Sequence, residues 1–450
     1  MLKKNDVIEL DILDVGLNGE GIAKTFDGYT LFVNGATVGD KAVLRVTKTN
    51  KTYGFARCEK IITKSPFRND VPCKSFDKCG GCSIMNLKYE KQLEIKKSIV
   101  VNNLLKIGGY NEDEYKLNEI VASENINNYR NKAQFPVGMA KNRVVCGFYE
   151  PKSHNVVSVE NCFIQDEKIN KIVNLCVKFF NKYKISVYSE KTKKGIVRNV
   201  YVRNTGVGIM VVIVANSKKK LPYYTELVSM LVSNGVGSVI QNINTKDTNV
   251  IMGDENIILY GEDKILAKIG DLKFYISSKS FFQVNTKQTE NLYNIAKEFA
   301  NATKEDTVFD LFCGCGTISL YLANEAKKVI GVEIVEDAVK MAEENARLNN
   351  VENANFYAGD CDQIVKKLID NGEKVDIVVV DPPRKGLTEN LIDMIVSLNP
   401  KRIVYVSCNS ATLARDVKYA KEKGYILKEA TPVDMFPHTT HCEVAVKLER

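Results

Sequence analysis

No apolar run in this 450-residue chain reaches the roughly 18 residues that a membrane span needs, so no membrane is expected. The opening MLKKNDVIELDILDVG alternates acidic and apolar residues and lacks the continuous apolar core of a secretory signal, which points to a cytoplasmic protein. Internal repeats and low-complexity segments are absent too. Without an export signal the 12 cysteines are poor candidates for disulfides, because the cytosol keeps thiols reduced, and metal or catalytic roles become the better expectation. Charge excludes little. A net charge of +8 and a pI near 8.7 suit an anionic partner such as RNA, and suit many small-molecule enzymes equally. What is present is a globular composition, 44% hydrophobic and 26% charged, on a chain long enough for roughly two to four domains.

Residues 1–59 carry short β-rich runs, VIELDILDV, YTLFVNGAT, KAVLRVTKT and YGFARCEKII, separated by the turn signals GLNGEG, FDG and VGD. That rhythm predicts a small closed barrel of the OB type, whose face commonly takes up oligonucleotides. Residues 60–270 read as a mixed α+β region. One amphipathic helix is predicted in YEKQLEIKKSIVVNNLLKIG, with Leu93, Val100, Leu104 and Ile107 on its apolar face. NVYVRNT, GIMVVIVAN and GSVIQNIN read as half-buried strands of an antiparallel sheet, with Lys218 to Lys220 in a solvated turn. Residues 271–450 alternate strand and helix, the signature of an α/β doubly wound parallel sheet. DTVFDLF, KVIGVEI, NANFYAGD, VDIVVVD and RIVYVSC mark its strands, with YILKEATPVDMF and CEVAVKLE as antiparallel edge strands.

Polar groups gather where those strands end. In VFDLFCGCGTISL a strand runs into Gly314 and Gly316, which lets backbone approach a ligand. The third glycine of the dinucleotide fingerprint is missing, and two glycines alone are weak evidence. Glu333 ends the next strand, where a carboxylate can take both hydroxyls of a ribose, and Asp360 ends the third, near the place of an adenine. Asp381 leaves the fourth strand into Pro382 and Pro383, which fix an extended turn. Together they predict a nucleoside site, and the arrangement resembles the S-adenosylmethionine site of class I methyltransferases.

The fifth strand delivers Cys408 to the same edge. Uracil C5 is too weak a nucleophile to take a methyl group unassisted, but a thiolate adding to C6 makes C5 enolate-like, and cysteine both attacks and departs well. A base must then remove the C5 proton. Glu443 in HTTHCEVAV is the candidate, with His438 and His441 as competitors.

A second cysteine group, PCKSFDKCGGCS, places Cys73, Cys79 and Cys82 at C-x5-C-x2-C spacing. Cys162 is the best fourth ligand, because Cys58, Cys146 and Cys176 sit in regular stretches that look like core. Four thiolates suit either zinc or an iron-sulfur cluster, and spacing does not choose.

SFFQVN, DLFCGCGT, GVEI, VDIVVVDPPRKG, VSCNSATLARD and HCEVAV, in this order and spacing, closely resemble the RNA uracil-5-methyltransferases over nearly the whole chain. The resemblance implies a class I S-adenosylmethionine-dependent methyltransferase domain behind an N-terminal TRAM barrel and a central iron-sulfur domain. It implies Cys408 as nucleophile, Glu443 as proton acceptor, and Gln283, Phe312, Glu333 and Asp381 as cofactor contacts. Phe281 resembles the aromatic that stacks on RNA bases, and the four cysteines those that hold a [4Fe-4S] cluster in ribosomal members. YRNKAQFPV sets Arg130 and Lys132 among aromatics, which fits phosphate contact plus stacking. Cys315, between the two glycines, departs from the family pattern and reads as a packing variant. The implied reaction is methylation of C5 of a uridine in 23S rRNA, free or in a ribosomal assembly intermediate, with no protein partner inferred. The competing readings are a transfer-RNA uracil-5-methyltransferase, a cytosine-C5 enzyme and a non-catalytic RNA-binding protein. A radical methylthiolating enzyme would need a C-x3-C-x2-C site, which the chain lacks.

Overall fold

In the computed structural model, which describes residues 2–450, the N-terminal runs close on themselves. Strands β1 (Val7–Val15), β2 (Gly21–Lys24), β3 (Thr30–Asn34), β4 (Lys41–Thr49) and β5 (Tyr53–Thr63) form a barrel in the order β1-β2-β3-β5-β4. Alternation fills it: Ile12, Ala23, Leu31, Val33, Leu44 and Ala56 point inward and are buried.

A loop carrying Cys73, Cys79 and Cys82 leads to helix α1 (Tyr89–Lys106) and the short strand β6 (Lys116–Leu117). The buried face of α1 is Gln92, Ile95, Lys96, Val100 and Leu104; Leu93 is half-buried and Ile107 is 39% exposed, which corrects the expected stripe. The reason is polar. Lys96 pairs with Asp434 with both side chains 0% exposed, and Lys96 Nζ also donates to Phe436 O at 2.9 Å. Tyr89 OH donates to the other Asp434 oxygen at 2.8 Å. Removing one partner leaves a buried uncompensated charge, so Lys96→Met should cost about 3–5 kcal/mol in a urea unfolding measurement.

Next come β7 (Lys132–Ala140), β8 (Arg143–Tyr149), β9 (Val156–Ser158), α2 (Glu167–Lys182), β10 (Val197–Asn204), β11 (Ile209–Ala215), α3 (Tyr224–Val232), β12 (Ser238–Ile243) and β13 (Glu255–Tyr260). They build a seven-stranded sheet, β13-β12-β11-β10-β7-β8-β9. The expected half-buried antiparallel strands are corrected twice. Every residue of β11 is buried, and β11 pairs β12 in parallel. Both faces are covered: Val200, Val211 and Ile213 pack with Phe180 and Leu227 of the helices, while Tyr201, Met210 and Val212 pack with Phe274 and Ile276 of a following hairpin. That hairpin is β14 (Lys264–Ile269) and β15 (Leu272–Ser277). Two boundaries set by composition, after residues 59 and 270, therefore fall inside hydrogen-bonded units, β5 and the β14–β15 turn.

The rest is α4 (Thr286–Ala300), β16 (Thr307–Leu311), α5 (Thr317–Ala323), β17 (Lys328–Glu333), α6 (Glu336–Leu348), β18 (Ala354–Ala358), α7 (Cys361–Asp370), β19 (Ile377–Val380), α8 (Glu389–Ser397), β20 (Arg402–Ser407), α9 (Ser410–Glu422), β21 (Ile426–Val433) and β22 (Glu443–Glu449). The sheet order is β18-β17-β16-β19-β20-β22-β21-β6, parallel from β18 to β20. Near-continuous apolar strands such as IVVV of β19 belong in a sheet covered on both faces. The order reverses between β16 and β19, and ligands bind outside the carboxyl ends of strands at such a point. β22 is not the expected edge strand. It is inserted antiparallel between β20 and β21, and β6 covers the outer side of β21. Among the described residues no helix is long and apolar enough to cross a membrane.

Candidate active site

The β20–β22 register ends with Ser407 opposite Val444. Cys408 directly follows Ser407 and Glu443 directly precedes Val444, so both lie just beyond that last pair, at one end of the two strands. Immediately after Cys408, the Asn409 side chain accepts from Ala411 N and starts α9, so the thiol sits between a strand end and a helix N-terminus. The Asn409 amide and Thr412 hydroxyl donate to Arg384 O at 3.1 and 3.2 Å. The Asp-Pro-Pro-Arg loop after β19 is thereby stitched to the start of α9.

A helix N-terminus lowers a thiol pKa, but other effects win here. Burial, then the Glu443 and Asp381 carboxyls, push Cys408 up to about 11, against the opposing pull of the Arg384 guanidinium. Glu443 is 2% exposed; burial and then Asp381 raise it to about 8, with Arg384 again opposing. Its Oε2 has no hydrogen-bond partner, leaving a buried acceptor free beside the thiol. Burial and the neighbouring Asp310 hold Asp381 near 7.

Cys408, Glu443, Arg384 and His441 line one cavity of about 490 Å³ with Phe281 and Gln283. His438 lies outside it: its ring contacts Gln92 Nε2 at 3.3 Å and Asn127 Oδ1 at 3.2 Å, and burial drops it to about 4, so it is a fixed neutral group. Of the competing bases only His441 reaches the cavity. Arg384 was not singled out from the sequence; its place directly after Asp-Pro-Pro at a strand end was the available signal.

Phe281 and Gln283 also line a narrow slot with Phe312, Gly314, Thr317, Tyr293 and Asp381, so the SFFQVN segment is the partition between slot and cavity. Phe281 is 67% exposed. The Asn131 side-chain amide donates to Gln283 O at 2.9 Å and to Thr286 Oγ at 3.0 Å, pinning the segment to the start of β7. At Gly314, φ +56, a Cβ would project into open space. Gly316, φ +81, packs against Phe356 at a distance a Cβ would shorten to 3.1 Å. Glu333 accepts from Gly314 N at 3.1 Å and Val335 N at 2.9 Å, at the rim of the glycine turn. Asp360 stands at the same sheet edge but is exposed and caps α7 through Asp362 N. Cys315 is buried, its thiol 3.7 Å from Phe281 O.

The first cavity continues onto the second cysteine group. Cys73, Cys79, Cys82 and Cys162 all line it. Burial and then the neighbouring thiols raise Cys82. Burial takes Cys162 to about 11. The all-sulfur donor set fits a soft metal centre. The arrangement is a shared wall, and among the described residues no three His, Cys, Asp or Glu side chains are set around a metal-sized point. Cys146 and Cys176 are core residues, as expected. Arg130 and Lys132 line the cavity too; burial, then Arg203 and Arg130, pull Lys132 down to about 8.

The tRNA (Uracil-5-)-methyltransferase family matches residues 240–450, and the TRAM domain matches residues 2–58. An uncharacterized RNA methyltransferase of Clostridium tetani is 44% identical over 448 residues, covering 99% of this chain and 96% of that one. One from Clostridium acetobutylicum is 44% identical over 454 residues, covering 100% and 98%. Among solved structures, the tRNA (uracil-54, C5)-methyltransferase of Pyrococcus abyssi, in complex with S-adenosyl-L-homocysteine, aligns with a TM-score of 0.78 and 27% identity over 98% of this chain and all of that one. With Cys408 and Glu443 walling one cavity at the edge of a doubly wound sheet, this chain belongs to the RNA uracil-5-methyltransferase family, with an N-terminal TRAM domain.

Proposed function

We propose that this protein methylates C5 of a specific uridine in 23S rRNA, in the cytoplasm, by way of a covalent Cys408–C6 adduct. The observation that carries the chemistry is one cavity walled by the Cys408 thiol and by a buried Glu443 carboxyl with an unpartnered oxygen. S-adenosylmethionine, when bound, supplies a methyl group on a positively charged sulfur. Gln283, Phe312 and Asp381 would hold it along the slot, with Glu333 beside the glycine turn and Asp360 at the outer rim; the open space at Gly314 and the Glu333 carboxylate suit a nucleoside. The Cys408 thiolate adds to C6, and the electron pair of the C5–C6 double bond makes C5 nucleophilic toward the methyl carbon. Glu443 then takes the C5 proton, the S–C6 bond breaks, and its electrons return the thiolate. Phe281, at the cavity mouth, stacks where a flipped uridine leaves its neighbours.

The three regions take the parts their folds suit: residues 1–59 as RNA-binding barrel, 60–270 as the central region and 271–450 as the catalytic domain. Cys73, Cys79, Cys82 and Cys162 hold a [4Fe-4S] cluster in this reading, supported by the donor set and their convergence on one wall. Arg130 and Lys132 contact phosphate. A Lys132 near 8 is cationic below that pH and neutral above it, so RNA affinity should fall as pH rises from 7 to 9. Lys132→Met should remove that dependence and flatten the salt slope by about one charge, measured by filter binding.

The substrate is tested by transferring labelled methyl groups to 23S rRNA fragments, assembly intermediates and transfer-RNA transcripts. Label on 23S rRNA as 5-methyluridine supports the reading; label on transfer RNA alone replaces it. Transfer RNA is the second reading because that is the named substrate of the Pyrococcus abyssi protein.

A further inference from the structure

The connection from β21 to β22, residues 434–442, ends at Glu443 and is held from outside at Asp434, Met435, Phe436, Pro437, His438 and Thr440. Lys96 and Tyr89 hold Asp434, Tyr129 OH donates to Pro437 O at 3.1 Å, and His438 N donates to Gln92 Oε1 at 2.9 Å. Asn285 and Gln288 of the α4 start donate to Met435 O and Asp434 O, and three further bonds come from the cysteine loop. Ser83 N and Ile84 N, directly after Cys82, both donate to His438 O, at 3.0 and 3.1 Å. The Ser83 hydroxyl accepts from Thr440 N at 3.1 Å. Thr440 Oγ in turn donates to Leu17 O in the barrel.

His438 has φ +68, a left-handed conformation that a histidine adopts at a cost and keeps only where its surroundings enforce it. Here the enforcing contacts are the two N–H donors that follow Cys82 and the Gln92 side chain. Five residues later the chain presents Glu443. Gly19 abuts Ser83 so closely that a Cβ there would lie 2.2 Å from Ser83 O, so the Ser83 turn has no room to relax toward the barrel.

We propose that the cysteine loop is a positioning device for the general base: the order of Cys73, Cys79, Cys82 and Cys162 is transmitted through Ser83 and Ile84 to His438, and so fixes the carboxyl of Glu443. This rests on Glu443 being the base. Ser83 and His438 are positioning residues and touch no reacting atom. A thiol site that is emptied frees the Ser83–Ile84 turn, releases His438 from its left-handed conformation and loosens Glu443, while Cys408, carried by β20 and α9, stays in place. The consequence is selective. Addition of Cys408 and methyl transfer continue, and removal of the C5 proton slows.

The test uses the full-length protein, isolated anaerobically with its thiol site loaded, the same preparation after chelation, and two variants that leave all four thiols. Ser83→Pro deletes one of the two donors to His438 O together with the acceptor for Thr440 N; Ser83→Ala deletes only that acceptor and is the milder change should proline disturb folding. Hydrogen exchange of residues 436–442 is followed by mass spectrometry, and ordinary uridine RNA with S-adenosylmethionine is examined on a denaturing gel. Chelation and the variants should each speed exchange in 436–442, by about tenfold for chelation and Ser83→Pro and less for Ser83→Ala. Each should let a methylated RNA–protein adduct accumulate that the loaded native protein does not, with cofactor affinity unchanged within about twofold. Exchange in 436–442 unaltered on chelation, or turnover falling with no adduct build-up, overturns the proposal. The two readings fail separately: a native protein that forms no 5-methyluridine removes the function, while the exchange measurement decides the coupling on its own.

Discussion

Glu443→Gln should stop the reaction after methyl transfer, so that ordinary uridine RNA, incubated with the variant and S-adenosylmethionine, stays covalently attached on a denaturing gel. The amide keeps the shape of the side chain and cannot accept the C5 proton, so the S–C6 bond has no partner step to break it. Turnover should fall on the order of 10²–10⁴-fold, the usual worth of a positioned base. The fold should tolerate the change, because burial beside Asp381 keeps the native carboxyl protonated and neutral below about pH 8, as the amide is. The native pH profile follows from the same environment. Glu443 is raised to about 8 from a usual 4.5, so in the free protein it holds its proton below pH 8 and becomes a base above it. Cys408, raised to about 11, gains thiolate in the same direction. kcat/KM should therefore climb between pH 7 and 9.

Cys408→Ala is the second large effect, and its signature is opposite. No adduct forms, either with ordinary RNA or with the Glu443→Gln background, and methylation drops at least on the order of 10⁴-fold, as expected for loss of a covalent nucleophile. Cofactor binding should remain, since the slot is built from Phe281, Phe312, Gly314 and Asp381, and Cys408 does not line it. Stability should change little. Cys408 is half-buried at a strand-to-helix junction whose geometry is set by Ser407 and Asn409.

The sequence was most legible where chemistry and regular structure coincide. The five parallel strands are apolar runs ended by polar residues, and Glu333, Asp381 and Cys408 stand at those ends in the structure. Long-range pairing was not legible. Gln92 and Lys96 break the apolar stripe of α1 because their partners, His438 and Asp434, lie more than 330 residues away. The strands of the middle sheet looked half-buried because nothing local announces that α2 and α3 cover one face while β14 and β15 cover the other. Glu443 looked like an edge residue since chain order does not reveal that β22 slots between β20 and β21. That insertion is what brings it to the end of β20 that carries Cys408.

The central claim, a thiol of this chain bonding to a uracil ring, is tested most directly by offering 5-fluorouridine-substituted 23S rRNA fragments and S-adenosylmethionine to the native protein and to Cys408→Ala. Fluorine at C5 cannot leave as a proton does, so the adduct stalls. The account predicts a shifted RNA–protein band with the native protein and none with Cys408→Ala. A band that persists in the variant, or no band from native protein that binds both cofactor and RNA, would contradict it.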